Sequence, residues 1–308
     1  MTPSPHPLLC IVGPTGVGKT AVAIDLCRRY DAEIVGVDAS QIYRGMTIGT
    51  GKATPAELGG VRHHLIDVAD PDDPWDAMRY ARAADEAIAD IRARGHNVVV
   101  CGGTGMWLRA LLHGLCPAPP LSAEVREALH ARITAGEVEA LHRELAEVDP
   151  VAAARIRSQD AQRIERALGV HQTTGKALSA WQAEHGFGEL RHPHQIIGVR
   201  RPRAELVRRI DRRLKTMFAE GFVDEVKALT AQGYGPSLRA LSALGYRYIA
   251  AALAGEMTMA DAQERTLIAT RRYAKRQMTW FKKNEQLHWV ERSDTGRVAE
   301  QAARYLDL

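Results

Sequence analysis

The chain has 308 residues, of which 45% are hydrophobic and 25% charged, and its formal net charge is +4. These values are typical of a soluble globular protein with one large domain or two unequal ones. No basic stretch precedes the first apolar run, which stops at Gly13, so we expect neither a signal peptide nor a membrane span. Four cysteines without C-x-x-C spacing argue against structural zinc and a disulfide framework, and favour a reducing cytoplasm.

A glycine-rich loop follows the first predicted strand, 8–12. Residues 13–20 read GPTGVGKT and match the phosphate-loop pattern G-x-x-x-x-G-K-[ST] at every position. A helix is predicted directly after it, so that backbone N–H groups and the helix N-terminus can hold a polyanion. Lys19 would add a point charge, and the Thr20 hydroxyl could hold Mg²⁺. The predicted diphosphate-binding or nucleotide-binding residues are Gly13, Pro14, Thr15, Gly16, Val17, Gly18, Lys19 and Thr20.

The first third of the chain alternates strands and helices. Further strands are predicted over 33–37, 63–68 and 97–101, and a helix over 75–94. This alternation predicts a parallel sheet with right-handed crossovers, whose ligands bind at the carboxyl ends of the strands. Asp38 follows the second strand and is therefore a candidate general base, with a loop cap as the alternative.

The residues after the fourth predicted strand differ from those of a phosphate-loop ATPase. Such an enzyme often carries an acidic residue here to help bind Mg²⁺, whereas this chain has Gly102-Gly103-Thr104-Gly105. The segment offers backbone N–H groups and the Thr104 hydroxyl to a second anionic group. The alternative is a tight turn into the next helix.

A helical insertion domain is predicted over 117–194, inside a core domain formed by 1–116 and 195–308. Composition changes at the proline-rich stretch 116–120, helical patterns then run from Ser122 to about His185, and a strand is predicted over 195–199. Within the insertion, Gln162, Arg163 and Arg166 share one helical turn. They could bind a nucleobase or phosphates, or form only a surface patch.

The C-terminal part is predicted to be helical from Pro202 to about Phe281, with a break at 233–236, before a strand over 287–290 and a short helix. Residues 271–283 carry six Lys/Arg and no acid, and 191–217 carry nine Lys/Arg against two acids. Two such clusters indicate a polyanionic partner, although either alone could be a solvated helical face.

Several aromatic and histidine side chains are expected to have structural roles, or have burial as an alternative to function. Trp280, Phe281 and Trp289 are predicted core residues. Tyr43, Tyr246 and Tyr273 could stack on bases or be buried. His63 and His64 lack metal-binding spacing and are expected to be structural or solvated.

Several segments, taken in order, resemble the bacterial tRNA dimethylallyltransferases, also called tRNA isopentenyltransferases. They are 13–20, 38–54, 63–71, 101–115, 149–170, 242–247 and 270–283. Each is weak alone, but the ordered set is highly specific. The chain departs from the family pattern at Ala39, at Met106-Trp107 and at Ser242-Ala243, which leaves the implied reaction intact and details of tRNA contact open.

The resemblance implies an activity on tRNA. A dimethylallyl group would move from dimethylallyl diphosphate to the exocyclic amine of the adenosine immediately 3′ of the anticodon, giving N6-dimethylallyladenosine. Mg²⁺ would be the cofactor, and the glycine-rich loop would hold the prenyl diphosphate instead of hydrolysing ATP. By matching positions, Asp38 is the expected base, and Thr104 and Arg213 are expected to hold the diphosphate with Lys19. The expected fold is α/β, a phosphate-loop parallel sheet flanked by helices, and the expected state is a monomer.

The same matching implies which residues face the anticodon stem-loop of tRNA. They are Asp38, Ala39, Ser40 and Gln41; Thr104; Gln162, Arg163, Ile164, Glu165 and Arg166, with Arg126 a weaker match; and Ser242, Ala243, Leu244, Gly245, Tyr246 and Arg247.

Three other functions are alternatives to prenyl transfer to tRNA. A small-molecule or nucleotide kinase is disfavoured because no acid follows strand 97–101. Prenyl transfer to free adenine nucleotides would not need the insertion and the basic helices. A non-catalytic RNA-binding module would not need Asp38, Thr104 and Arg213 together.

Overall fold

A computed structural model of the chain describes residues 7–186, 190–235, 238, 240–293, 296, 298 and 300. Its strands are β1 (Leu8–Val12), β2 (Ala32–Val37), β3 (His63–His64), β4 (Asn97–Gly102), β5 (His194–Arg200) and β6 (Leu287–Glu291). They form one sheet in the order β3-β2-β4-β1-β5-β6, and neighbouring strands pair in parallel. The α/β prediction is therefore confirmed. β1 and β2 are buried along their whole length, as expected of inner parallel strands covered on both faces.

The helices, in chain order, are α1 (Lys19–Arg29), α2 (Pro55–Leu58), α3 (Ala77–Ala93), α4 (Gly105–His113), α5 (Ala123–Thr134), α6 (Val138–Val148), α7 (Pro150–Arg155), α8 (Ala161–Thr174), α9 (Leu178–His185), α10 (Arg203–Ala219), α11 (Phe222–Ala231), α12 (Tyr246–Leu253) and α13 (Met259–Phe281). A 3-10 turn covers Ala240–Ser242. Local capping sets several boundaries. The Asp76 side chain accepts from Met78 N and Arg79 N at the start of α3, and Thr258 and Asp261 form a capping box at the start of α13.

The chain divides into two compact units. One comprises the residues up to Leu112 and from Arg191 onward and contains the whole sheet, and the other is His113–Leu190. The sequence placed the insertion at 117–194. The second unit has its own apolar core, which includes Leu129, Leu141 and Ile164. Among the described residues, no helix has the length and apolar character needed to cross a membrane.

Two predicted elements differ from the structure. The strand predicted over 63–68 ends at His64, because Leu65 and Asp67 have φ angles of 61° and 55°, which a strand cannot contain. The helical region after Pro202 is also broken between α10 and α11, where Gly221 has φ 104°. The predicted C-terminal helix lies largely outside the described residues.

The register of the inner strands places three loops side by side. Gly102 at the end of β4 is aligned with Val12 at the end of β1 and with Val37 at the end of β2. Adjacent strands lie about 4.8 Å apart. The glycine-rich loop, Asp38 and the segment 103–105 therefore leave the same edge of the sheet as neighbours.

Candidate active site

The glycine-rich loop connects β1 to the N-terminus of α1. Gly16 and Gly18 have φ angles of 79° and 95°, which residues with a Cβ rarely adopt. Gly18 is the N-cap of α1. Lys19 is the first residue of the helix. Burial lowers the pKa of Lys19, and the nearby Asp38 carboxylate opposes that effect. The loop thus presents a helix N-terminus and a cation to the edge of the sheet.

Hydrogen bonds of Asp38 stabilise the turn after β2, and a hydrogen bond of Thr104 joins that turn to the one after β4. Asp38 Oδ1 accepts hydrogen bonds from Ser40 N at 3.0 Å and Gln41 N at 3.4 Å. Thr104 Oγ1 accepts from Ala39 N at 3.1 Å. Asp38 therefore does cap its loop, as the alternative interpretation proposed, and the same bonds hold its carboxylate in a fixed orientation. The structure places Thr104 beside the segment that begins with Asp38.

Arg213 reaches the site from α10. Its Nη2 donates to Gly51 O at 3.3 Å. An ideal Cβ on Gly51 would lie 1.7 Å from that nitrogen, and Gly51 has φ 62°, so only glycine fits here. Burial lowers the pKa of Arg213, while Asp38 acts in the opposite direction.

These groups line one cavity at the carboxyl edge of the sheet. Its walls include Lys19, Thr20, Asp38 and Arg213, together with Thr15, Gln41, Thr50, Gly51, His63, Cys101 and Gly102. Two cationic side chains and one carboxylate share this small space. Because burial makes an uncompensated cation costly, the arrangement favours binding of an anion.

Several lining residues carried no functional prediction, among them Thr50, Gly51 and His63. Thr50 and Gly51 accept through their carbonyl oxygens from Gln41 Nε2, at 3.1 and 3.2 Å, which ties their loop to the segment after Asp38. His63, predicted to be structural or solvated, also lines the cavity. Its buried Nε2 has no hydrogen-bond partner within the described part of the chain. Burial lowers the pKa of His63 to about 4, with a smaller contribution from His64, so the ring is neutral at pH 7.

The residues matched to tRNA contact differ widely in exposure. Gln162, Arg163 and Arg126 are exposed, as are Ser242 and Arg247. Ile164 is fully buried in the core of the second unit, and Tyr246 is fully buried near the sheet. Arg166 donates to the carbonyl oxygens of Ala118 and Pro119. The side chains of Ile164, Tyr246 and Arg166 therefore have packing or bracing roles in this structure.

Tyr246 supports the loop that carries Gly51. Its hydroxyl donates to Glu225 Oε1 at 2.6 Å, and the same carboxylate accepts from Thr47 N, Ile48 N and Gly49 N. Tyr246, through Glu225, thus helps to hold the backbone of residues 47–49 in place, and its buried ring does not form a base-stacking surface.

We expect Tyr246→Phe to lower the free energy of unfolding by about 1.5–3 kcal/mol, since it removes a buried hydrogen bond to a charged acceptor. Urea titration monitored by circular dichroism measures this. Tyr248→Phe is the control, because the Tyr248 hydroxyl makes an exposed contact with Arg247. Equal stability of the two variants would contradict a stabilising role of the hydrogen bond between Tyr246 and Glu225.

Comparison with known proteins decides the family. The IPP transferase family model matches residues 41–284. The tRNA dimethylallyltransferase of Syntrophobacter fumaroxidans is 44% identical over 304 residues, covering 98% of this chain and 89% of that protein. That of Sorangium cellulosum is 45% identical over 280 residues, covering 91% and 89%. This chain belongs to the IPP transferase family.

A solved structure of the family has the same fold. The full-length tRNA isopentenylpyrophosphate transferase of Bacillus halodurans is 33% identical, with a TM-score of 0.73, and the match covers 98% of this chain and 97% of that chain. The family model begins at residue 41, after the glycine-rich loop and Asp38. Those two features fall instead within the alignment to the Syntrophobacter fumaroxidans relative, which covers 98% of this chain. The resemblance derived from the sequence motifs is confirmed.

Proposed function

We propose that the protein transfers a dimethylallyl group from dimethylallyl diphosphate to the exocyclic amine of an adenosine in tRNA. The observation that carries the proposal is the cavity in which Lys19 and Arg213 lie with Asp38. Two cations suit a diphosphate, and one carboxylate suits an amine that must lose a proton. The names of the relatives, tRNA dimethylallyltransferases, support the choice of substrates.

Departure of the diphosphate is assisted by the cationic wall of the cavity. The bond between the allylic carbon and the diphosphate oxygen breaks, and pyrophosphate keeps the electron pair. Negative charge therefore grows on the leaving oxygen. Lys19, Arg213 and backbone N–H groups of the glycine-rich loop stabilise that charge, because they are already oriented before the reaction. Thr104, at the neighbouring turn, is proposed to hold the diphosphate with them.

Asp38 is proposed to act as the general base. The adenine amine is a poor nucleophile because its lone pair is delocalised into the ring. As the new carbon–nitrogen bond forms, the nitrogen loses a proton, which the Asp38 carboxylate accepts. The hydrogen bonds from Ser40 N and Gln41 N fix that carboxylate, which lowers the entropic cost of aligning it with the amine.

The residues present fit a magnesium ion held mainly by substrate. Thr20 and Asp38 contribute oxygen atoms to the same cavity. Within the described residues no cluster of three or more His, Cys, Asp or Glu side chains could hold a metal. Mg²⁺ commonly uses one or two protein oxygens plus substrate phosphates. We propose that Thr20 and the diphosphate hold Mg²⁺, which would supply further positive charge to the leaving group.

The proposed target is the adenosine immediately 3′ of the anticodon, and the product is N6-dimethylallyladenosine. That base must leave the anticodon-loop stack to reach an enclosed cavity. We propose that the exposed residues of the matched segments, among them Gln162, Arg163, Ser242 and Arg247, contact the anticodon stem-loop. We propose that the protein acts as a monomer.

The basic face of α13 and the residues after it is proposed to bind tRNA phosphates. Arg272, Lys275, Arg276, Lys282 and Lys283 are exposed. Arg271 instead forms an ion pair with Asp211, with Nε and Oδ1 2.9 Å apart. Trp280, predicted to be buried, is 38% exposed beside this cluster. Exposed cations next to an aromatic ring are typical of nucleic-acid surfaces.

We expect Lys282→Gln with Lys283→Gln to weaken tRNA binding. Each lost phosphate contact should lower the magnitude of the slope of log affinity against log salt by about 0.7–0.9. Filter binding at several salt concentrations measures the slope, and Lys227→Gln, an exposed lysine on α11, is the control. An unchanged slope would mean that this end of the cluster is a solvated face. Affinity for dimethylallyl diphosphate should be unaffected.

An acceptor comparison tests the proposed function against its rivals. Purified protein is given dimethylallyl diphosphate and Mg²⁺ with unmodified tRNA, with AMP, or with neither, and a parallel reaction contains ATP. Pyrophosphate release that requires tRNA supports the proposal. Release with AMP alone would indicate a free-nucleotide prenyltransferase, and rapid ATP turnover would indicate a kinase or ATPase.

A further inference from the structure

The side chain of Gln277 connects two loops that leave the carboxyl edge of the sheet. It lies on α13, is 5% exposed, and its Oε1 accepts from Thr15 N at 2.8 Å, within the glycine-rich loop. Its Nε2 donates to Gly103 O at 3.0 Å, between β4 and α4. The primary amide satisfies a donor on one loop and an acceptor on the other at the same time, which a carboxylate or an aliphatic side chain cannot do.

The fit around this amide leaves little space. An ideal Cβ on Gly103 would lie 2.1 Å from Gln277 Nε2, so only glycine allows the amide to approach the carbonyl. Four residues earlier on α13, the Tyr273 side chain lies beside those of Thr104 and Gln277. Residues at this spacing share one face of a helix. The same face of α13 therefore holds both the glycine-rich loop and the turn that carries Thr104.

We propose that Gln277 is a positioning residue for the diphosphate. It fixes the separation between the glycine-rich loop and the 103–105 turn, so that the N–H groups of the first and the Thr104 hydroxyl of the second converge on one anion. The proposal rests on the proposed function, because it assumes that these two segments hold a diphosphate. Nothing in the local sequence indicates the role, since Gln277 and Thr15 are far apart in the chain.

The test compares pyrophosphate binding by Gln277 variants in calorimetric titrations with Mg²⁺. Gln277→Leu keeps the approximate volume and removes both hydrogen bonds. We expect its Kd for pyrophosphate to rise about 10–100-fold, the size expected when two buried hydrogen bonds that orient a binding loop are lost. Affinity for tRNA should stay within about twofold, as should both affinities in the control Gln263→Leu, an exposed glutamine on the same helix.

A pH series separates positioning from a general packing role. In Gln277→Glu, the introduced carboxyl faces Gly103 O, and burial next to that oxygen raises its pKa. When ionised it cannot donate to Gly103 O; when protonated it can, as the amide does. The ratio of variant to parent Kd for pyrophosphate should therefore be large at pH 8 and fall as the pH is lowered. Packing alone would give a ratio independent of pH.

Three outcomes would overturn the inference. One is a pyrophosphate Kd for Gln277→Leu equal to that of the parent, and another is a pH-independent ratio for Gln277→Glu. If Gln277→Leu does not fold, Gly103→Ala tests the same contact from the other side, because its methyl group meets Gln277 Nε2; parent-like binding by that variant is the third. Failure of the parent itself to bind pyrophosphate would instead contradict the proposed function, and this inference with it.

Discussion

Replacing Lys19 by alanine should reduce the rate of dimethylallyl transfer by about 10²–10³-fold, the usual effect of removing one preorganised group that stabilises developing negative charge. Lys19 is half-buried at the N-terminus of α1 and shares its cavity with Arg213 and Asp38. Single-turnover transfer to tRNA and titration with dimethylallyl diphosphate measure the loss. Turnover and affinity equal to those of the parent would remove the loop from the mechanism.

The thermal stability of the same variant separates function from folding. Burial disfavours the charged form of Lys19 and lowers its pKa, so the lysine is costly to the folded state in the absence of an anion. We therefore expect Lys19→Ala to melt no lower than the parent protein without ligand. It should also show less stabilisation by added pyrophosphate. Lys227→Ala, an exposed lysine on α11, should behave like the parent in both assays.

Replacing Asp38 by asparagine should slow transfer by about 10²–10⁴-fold, the usual contribution of a positioned general base. Asparagine keeps an oxygen that can accept from Ser40 N and Gln41 N, so the loop should keep its shape. Single-turnover rates with saturating tRNA and dimethylallyl diphosphate measure the effect, and the variant should still fold and bind tRNA.

Asp31→Asn is the matched control for this substitution. Asp31 precedes the amino end of β2, whereas Asp38 follows its carboxyl end, and its φ of 44° is one that asparagine tolerates. Its transfer rate should equal that of the parent. If Asp38→Asn also stays within a few-fold of the parent, Asp38 serves only as the loop cap.

The arrangement of the sheet was predictable because the strands are buried apolar runs between helical patterns. Once β1, β2 and β4 are parallel neighbours, the residues that follow them must share one edge, and Asp38 and Thr104 meet there. The pattern did not predict that β3 would end at His64, because the left-handed conformation of Leu65 and Asp67 follows from the packing of that loop and has no glycine signal.

The finer features of the site depend on contacts between distant parts of the chain. Matching to a family motif selected Tyr246 and Ile164 for tRNA contact, yet a motif does not reveal which of its members fill the core. Gln277 lies in a basic, helical segment whose composition suggested only an RNA-binding surface. Its function as a link between two loops depends on the placement of α13 against the sheet, which no local pattern encodes.

The most direct test of the proposed function is the identity of the modified nucleoside. Unmodified tRNA is incubated with the purified protein, dimethylallyl diphosphate and Mg²⁺, then digested with a nuclease and examined by mass spectrometry. We expect N6-dimethylallyladenosine in the fragment that contains the anticodon loop, at the adenosine immediately 3′ of the anticodon, and its near absence with Lys19→Ala or Asp38→Asn. A protein that binds both tRNA and pyrophosphate yet forms no dimethylallyl adenosine would contradict the proposed reaction.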